Sequence, residues 1–200
     1  MDLLRAVKIL VYRGVIRICV LKADVVRVVL GAGGTSYPGW ISTDYPALDV
    51  VDEKSWGRLF KPGQVDTLLS EHVFEHLTDD QMLATVANIY RYLKSGGYIR
   101  IAVPDGFHAD ADYIAQVKPG GYGPGADDHK VLYNYKTLSS LLENAGYKIR
   151  LLEWFDEQGK FHYESWDTVD GFIKRSTRFD QRNQINPMTY TSLIIDAIKP

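Results

Sequence analysis

The hydrophobic positions of the chain follow two spacings, one typical of strands and one typical of helices. Short runs rich in β-branched residues predict strands over residues 25–30, 40–43, 64–69, 98–103, 147–155 and 191–198. Apolar residues at helical spacing predict a helix that begins after Thr78 and stops at residues 95–97, and a second helix over 137–145. Strands that alternate with helices predict an α/β fold around a mostly parallel sheet.

The start of the first predicted helix carries a capping signal. Thr78 precedes an apolar-periodic stretch, and Gln81 follows three residues later as the partner of a capping box. Since a new helix begins at this point, the preceding segment with His72 and His76 is expected to be at most about two turns long.

The amino-terminal residues 1–24 precede the predicted domain as an extension. Their Val and Ile content and Gly14 predict one or two extra strands. Five basic residues interrupt the apolar runs before they reach the roughly 20 residues of a membrane span. These residues are Arg5, Lys8, Arg13, Arg17 and Lys22. We expect a packed extension here, with peripheral membrane contact as the alternative.

Composition limits the number of domains, the partners and the cellular compartment that we expect. With 200 residues, of which 46% are hydrophobic and 24% charged, the chain can form one sizeable core, and we expect residues 25–200 to be a single domain. A net charge of −2 gives no reason to expect a nucleic-acid partner. The single cysteine, Cys19, cannot form an internal disulfide and indicates a reducing cytoplasm.

The stretch from His72 to His76 has two interpretations. His72, Glu75 and His76 spell the H-x-x-E-H pattern of a zinc hydrolase, although the only candidate third ligand, Glu143, has no independent support. The same residues follow a predicted strand, where they could instead line a cofactor pocket. No metal is the expectation that we carry forward, with the zinc hydrolase as an alternative.

The carboxyl ends of the predicted strands bring several polar positions to one edge of the sheet, where open α/β folds bind ligands. These positions are Gly31 and Gly33, then Asp44, then Ser70, Glu71 and His72, then Asp105. A dinucleotide motif would need glycine where Ser36 stands, and the short link to the next strand leaves no room for a phosphate-binding helix. S-adenosylmethionine, a sulfonium cation without phosphate, suits an acidic crevice better.

Five ordered motifs within about residues 25–200 resemble one family. They are VVLGAGGTSYPGWISTDYPALDVVD, VDTLLSEHVFEHL, LKSGGYIRIAVPD, HKVLYNYKTLSSLLENAGY and YTSLIIDAIKP. The chain resembles the compact class I S-adenosylmethionine-dependent methyltransferases, many of them associated with sugar-chain biosynthesis. The resemblance implies a Rossmann-like fold, mostly parallel with an antiparallel last strand, and S-adenosylmethionine as cofactor.

The resemblance also implies roles for individual residues. Gly31, Ala32 and Gly33 would pass beside the methionine moiety, Asp44 would take the ribose hydroxyls, and Asp52 would lie near the adenine. Ser70, Glu71 and His72 would close over the cofactor near the sulfonium. The chain departs from the family at Val29, where many methyltransferases have an acidic residue, which keeps a cofactor-binding module without turnover as an alternative.

A hydroxyl acceptor would need a general base. His129 is the first candidate, because it follows a stretch rich in Gly and Pro that could act as a lid. Asp105 and His108 are second candidates. The aromatic and basic residues of 156–188 could hold the acceptor or could simply cover the sheet. The expected function is methyl transfer from S-adenosylmethionine to a small-molecule or sugar-type acceptor.

Overall fold

Seven strands form one sheet at the centre of the computed structural model, which describes residues 3–185 and 188–200. The strands are β1 (Arg27–Leu30), β2 (Ile41–Ser42), β3 (Val65–Glu71), β4 (Leu93–Pro104), β5 (Lys148–Phe155), β6 (Phe161–Tyr163) and β7 (Ser192–Ile198). The helices are α1 (Leu3–Lys22), α2 (Glu53–Gly57), α3 (Asp79–Tyr92), α4 (Ala111–Val117), α5 (Tyr135–Asn144) and α6 (Arg182–Ile185).

The strands lie in the order β2-β1-β3-β4-β7-β5-β6. β2, β1, β3 and β4 pair in parallel. β7 lies between β4 and β5 and is antiparallel to both, and the short β6 is antiparallel to β5. This arrangement confirms the predicted Rossmann-like sheet, mostly parallel with an antiparallel last strand.

The link between β1 and β2 explains how two parallel strands can follow each other without a crossover helix. β2 is only two residues long and pairs with β1 through Val28 and Val29. Beyond the paired residues, the Thr43 amide donates to the Val29 carbonyl at 2.9 Å, and the Ala32 amide donates to the Thr43 carbonyl at 3.0 Å. The loop therefore returns directly to the edge of β1.

Most predicted elements are present within a few residues of their expected bounds. The capping box at Thr78 and Gln81 is confirmed, with the side chain of each residue bonded to the backbone of the other. α3 ends at Tyr92, earlier than expected, because Leu93 is already extended and starts β4. Among the labelled elements of the described residues, α2, α4, α6 and β6 were not predicted from the sequence.

The prediction of strands in residues 1–24 is wrong, since α1 is a continuous helix over the described part of this segment. Tertiary contacts explain the helix despite its β-branched residues. Ile16 and Val20 are buried in the core. The Arg13 guanidinium donates to the carbonyls of Pro46 and Ala47 at 3.0 and 2.9 Å. These contacts fix α1 beside the loop that follows β2.

The outward side of α1 is unusually apolar for a surface helix. Its exposed apolar side chains include Leu4, Leu10, Val11, Ile18 and Leu21. Within the described part of the chain, no helix combines the length and the apolarity needed to cross a bilayer. Peripheral membrane contact through residues 1–24 stays a prediction, and residues 1 and 2 lie outside the described residues.

Candidate active site

The loop after β1 has a backbone that favours glycine. Gly31 and Gly33 have φ of +59° and +55°, a left-handed conformation that costs other residues free energy. A Cβ on Gly31 would also lie 2.5 Å from Cγ2 of Val73, whereas a Cβ on Gly33 would enter open space. The chain therefore passes close to Val73 at Gly31 and leaves room for a ligand at Gly33.

Asp44, at the end of β2, holds this glycine loop in place. One of its carboxylate oxygens accepts from the Gly33 amide and the other from the Tyr45 amide, both at 2.8 Å. Asp52, in contrast to Asp44, is the N-cap of α2, and its carboxylate accepts from the Lys54 amide at 3.1 Å.

Two cavities meet at Gly31. The first, which we call the glycine cavity, has a volume of about 310 Å³, and five of its wall residues were predicted from the sequence. These five are Gly31, Ala32, Gly33, Glu71 and His72. The second, the Asp44 cavity, has a volume of about 230 Å³ and is lined by Asp44, Asp49, Val50 and Val51 among others. The two cavities share Gly31 in their walls and lie at the carboxyl ends of β1, β2 and β3.

Glu71 and Ser70 contribute to the cleft in different ways. The Glu71 carboxylate accepts from the amides of Lys174 and Arg175 at 3.1 and 2.8 Å, which fastens this later segment over the glycine cavity. Ser70 is buried, and its hydroxyl has no hydrogen-bond partner among the described residues.

A third cavity, the histidine cavity, continues the cleft beyond His72 and Arg175, which stand in the walls of both. It has a volume of about 280 Å³. Its polar wall residues include His72, Glu75, His76, His129, Arg175, Arg182 and Tyr190. The candidate base His129 therefore lies in the cavity that adjoins the glycine cavity.

His72 occupies a strained position between the two cavities. Its φ of +55° is rare for a residue with a side chain and costs about 1–3 kcal/mol. Its Nε2 lies 3.0 Å from the Ser192 hydroxyl, which itself donates to the Arg175 carbonyl at 2.8 Å. Because the Ser192 proton is used in that bond, His72 Nε2 is the donor to Ser192.

Glu75 is fully buried at the base of the histidine cavity. Burial alone would raise the pKa of its carboxyl, but electrostatic attraction to His72, with a further contribution from His76, holds the pKa below its ordinary value. Nδ1 of His72 lies 2.8 Å from Oε1 of Glu75. That contact lacks the alignment of a hydrogen bond, and both Glu75 oxygens are without a hydrogen-bond donor among the described residues.

His129 has a fixed tautomer. Its Nδ1 lies 2.6 Å from the Val117 carbonyl, which can only accept, so Nδ1 carries the proton. In the neutral ring, Nε2 then carries a lone pair, and it lies 4.0 Å from Oε1 of Glu75. The ring of His76 stands nearly perpendicular to that of His129, with centroids 4.8 Å apart.

The H-x-x-E-H pattern does not form a zinc hydrolase helix. Residues Phe74–His76 make a single 3-10 turn, and His72 lies before it in left-handed conformation. Glu143 is exposed on α5 and does not belong to the group formed by Glu75, His76 and His129.

Asp105 and His108, the second candidate bases, line none of these three cavities. Asp105 accepts from the amides of Phe107 and Phe155, and burial raises its pKa to about 6. His108 stacks on Tyr113 at 3.9 Å, and burial lowers its pKa to about 4. Both side chains pack under the loop that follows β4.

The segment 156–188, of which residues 186 and 187 lie outside the described residues, both covers the sheet and reaches the cleft. Trp166 and Ile173 are buried in a cluster with Leu69. Arg175 and Arg182 enter the wall of the histidine cavity. Arg182 is paired with Asp180 at 2.6 Å.

Sequence reasoning did not find Tyr190 and Ser192. Ser192 is the first residue of β7 and Tyr190 lies two residues before it. Because β7 is antiparallel to β4, its first residues meet the carboxyl end of β4. Because the last strand was predicted to be antiparallel, its first residues could have been placed at the carboxyl ends of the parallel strands from the sequence.

Comparisons with known proteins agree with this fold. The model of the family described as Methyltransferase domain matches residues 21–152. An uncharacterized methyltransferase of Bacillus mycoides is 30% identical over 94 residues, which are 44% of this chain and 43% of that protein. A Bacillus thuringiensis relative with the same description is 29% identical over the same shares. The matched stretch thus spans less than half the length of these relatives.

Two solved structures show the same architecture. A SAM-dependent methyltransferase from Archaeoglobus fulgidus is 17% identical, with a TM-score of 0.50 over 92% of this chain and 94% of that chain. A SAM-dependent methyltransferase from Thermotoga maritima is 13% identical, with a TM-score of 0.53 over 96% and 89%. At these identities the likeness shows the fold.

Proposed function

The chain belongs to the Methyltransferase domain family, and from this premise we propose that it transfers a methyl group from S-adenosylmethionine to a small-molecule or sugar-type acceptor. In this proposal residues 25–200 are the methyltransferase domain and act in the cytoplasm, in line with the single free cysteine. The pair of cavities that adjoin at Gly31 is the observation that carries the proposal.

The cleft fits the cofactor in shape and in charge. The glycine cavity offers open space at Gly33, where a side chain would intrude, and would hold the methionine moiety. The Asp44 cavity would hold the adenosine, with Asp44 beside the ribose and the backbone of Val50 and Val51 beside the adenine. Asp52 would act there through its cap on α2 rather than by lining the cavity. In the glycine cavity the Glu71 carboxylate stands beside Lys174 and Arg175, while Asp44 lines the adjoining cavity. The two carboxylates would attract a sulfonium cation, and the two basic residues would attract the carboxylate of the methionine moiety.

When bound, S-adenosylmethionine supplies a methyl group whose bond to sulfur breaks as a bond to the acceptor forms, and the sulfonium becomes a neutral thioether. The chain contributes mainly alignment, which is worth up to about 7–11 kcal/mol of the barrier. His72 and Arg175 separate the glycine cavity from the histidine cavity, so they would set the position of the acceptor relative to the cofactor.

The histidine cavity is the place where we expect the acceptor. Tyr190 is buried in the wall under the Arg182 guanidinium, which lies 3.5 Å from the centre of its ring. Arg175, which has no ion-pair partner within 4.0 Å in the described part of the chain, offers an unused charge. Polar walls with an aromatic ring suit a sugar or another small polar molecule. A hydroxyl acceptor in the histidine cavity would give its proton to Nε2 of His129, which carries a lone pair.

Calorimetric titration of metal-stripped protein with S-adenosylhomocysteine tests the cofactor. We expect saturable one-to-one binding that Asp44→Ala weakens at least about tenfold, because a charged hydrogen-bond acceptor is worth about 1.5–3 kcal/mol. Asp24→Ala is the matched control, since it removes the same charge just before β1, at the opposite end of the sheet. A folded sample that binds no S-adenosylhomocysteine would disprove the proposal.

Turnover is tested separately with an acceptor screen. His129→Ala should lower methyl transfer while S-adenosylhomocysteine binds as before, because His129 lies on the acceptor side of the cleft. A protein that binds the cofactor but methylates nothing in the screen would instead be a binding module, consistent with Val29 in place of an acidic residue.

A further inference from the structure

We propose that Glu75, His76 and His129 form a binding site for one divalent transition-metal cation, Zn²⁺ being the best fit, at the base of the histidine cavity. Each residue offers one ligand atom, and these atoms all lie within 4.8 Å of one another. The set differs from the zinc motif considered from the sequence, because it uses His129 and neither His72 nor Glu143.

The buried carboxylate of Glu75 is the first observation that points to a ligand. It is 0% exposed, and neither of its oxygens has a hydrogen-bond donor among the described residues. A buried charge is costly unless it is paired and hydrogen-bonded or coordinates a metal ion. Glu75 thus has two acceptor oxygens that a cation would satisfy.

The two imidazoles are arranged as metal ligands usually are. A histidine that binds a metal normally donates its other ring N–H to a carbonyl or a carboxylate, which fixes the ring. His129 does so through Nδ1 to Val117, and this leaves its Nε2 lone pair facing Glu75. Nδ1 of His76 is buried without a hydrogen bond and lies 3.4 Å from the Asp128 carboxylate.

The backbone holds the segments of this cluster together. The Lys130 amide donates to the Glu75 carbonyl at 2.7 Å, so the residue after His129 is fastened to Glu75 itself. Zinc bonds to nitrogen and oxygen of about 2.0–2.2 Å place tetrahedral ligand atoms roughly 3.3 Å apart. The 4.0 Å between His129 Nε2 and Glu75 Oε1 is close to that spacing, so small side-chain rotations would complete the site.

The donor set selects the class of cation. Imidazole ligands suit Zn²⁺ and its transition-metal neighbours, whereas Mg²⁺ and Ca²⁺ prefer oxygen ligands alone. Two imidazoles and one carboxylate are three protein ligands, which leave a fourth position open in a catalytic zinc site. Here that position would face the histidine cavity.

His72 offers the competing explanation, because its Nδ1 lies 2.8 Å from Glu75 Oε1 and the two side chains could form an ion pair without a metal.

The cation would act on the acceptor, and this part of the inference rests on the proposed methyl transfer. Glu75, His76 and His129 would hold the cation, and the cation would supply Lewis acidity that lowers the pKa of a hydroxyl acceptor beside it. In the metal-loaded protein His129 would serve as a ligand through Nε2, so its role as a base would apply to the metal-free protein only.

Titration of the metal-stripped full chain with ZnCl₂, without any cofactor, tests the site. We expect one equivalent to bind, and we expect affinity to fall at least about tenfold in His129→Ala and in His76→Ala, whose side chain is partly exposed and tolerates change. His162→Ala is the matched control, because His162 also pairs with a carboxylate, that of Asp156, but lies outside the cluster.

A second measurement keeps the test independent of folding defects. Zn²⁺ should raise the Tm of the wild type and of His162→Ala but not that of Glu75→Gln, and each variant is compared with its own metal-free Tm so that a change in intrinsic stability does not enter the comparison. Wild-type protein that binds no Zn²⁺, or variants that bind it equally well, would overturn the inference in favour of the His72–Glu75 ion pair. Because S-adenosylhomocysteine binding is measured on metal-stripped protein, failure of one proposal leaves the other standing.

Discussion

Replacing Gly31 by alanine should destabilise the protein through two separable effects. The first is the left-handed φ, which costs about 1–2 kcal/mol for a residue with a Cβ. The second is the contact of the new Cβ with Val73 Cγ2 at 2.5 Å, which is an overpacking of the kind that costs about 1–3 kcal/mol. We expect a total loss of about 2–5 kcal/mol in the free energy of unfolding.

Gly33→Ala isolates the first effect, because Gly33 has nearly the same φ and no atom within 4 Å of the added Cβ. Urea denaturation of the metal-free, ligand-free proteins should show a loss of about 1–2 kcal/mol for Gly33→Ala. The added methyl group would nevertheless weaken S-adenosylhomocysteine binding, since it enters the glycine cavity.

Val73→Ala isolates the second effect, because it removes the atom that the new Cβ would meet. In a double-mutant cycle, Gly31→Ala should cost only about 1–2 kcal/mol in the Val73→Ala background. Equal losses for Gly31→Ala and Gly33→Ala, or a cycle without coupling, would refute the reasoning from close approach.

Three further predictions concern stability, each measured by urea denaturation. Asp196→Ala should cost about 3–5 kcal/mol, because it leaves the buried Arg100 guanidinium without its bidentate partner. Thr78→Ala should cost about 1 kcal/mol through loss of the α3 cap, and no change would contradict the capping role. The pKa of Asp105 is raised from 3.8 to about 6, so its contribution to the stability of the protein falls as the pH rises through that range. The pKa of His108 is lowered from 6.5 to about 4, so its contribution rises over nearly the same range. The two contributions oppose each other, and the stability of the wild type should be nearly constant from about pH 4 to 6. Asp105→Asn should then show stability that rises across this range, and a flat profile in the variant would contradict the pairing of the two effects.

Local signals explain which parts of the fold could be predicted. Thr78 and Gln81 act on their own backbone, and β-branched runs mark strands wherever they are buried, so both can be read without the tertiary structure. α1 could not be predicted in this way, because its many β-branched residues favour strands and its helix is fixed by contacts such as Arg13 with the Ala47 carbonyl.

The residues of the candidate site also divide into those that local signals predict and those that depend on tertiary contacts. Gly31, Gly33 and Asp44 follow directly from strand ends, so the rule for open α/β sheets finds them. The approach of His129 to Glu75 could not be predicted, because it depends on how the loop before α5 folds back onto the turn after β3. Residues distant in the chain carry no periodic signal of their contact.

The wall shared by the glycine and histidine cavities has a thermodynamic consequence. His72 and Arg175 border both cavities, and His72 also contacts Glu75. We therefore expect a ligand bound in one cavity to change the free energy of ligand binding in the other through these two side chains. Such coupling is reciprocal. The factor by which Zn²⁺ changes the Kd of S-adenosylhomocysteine must equal the factor by which S-adenosylhomocysteine changes the Kd of Zn²⁺, so each titration can be used to check the other.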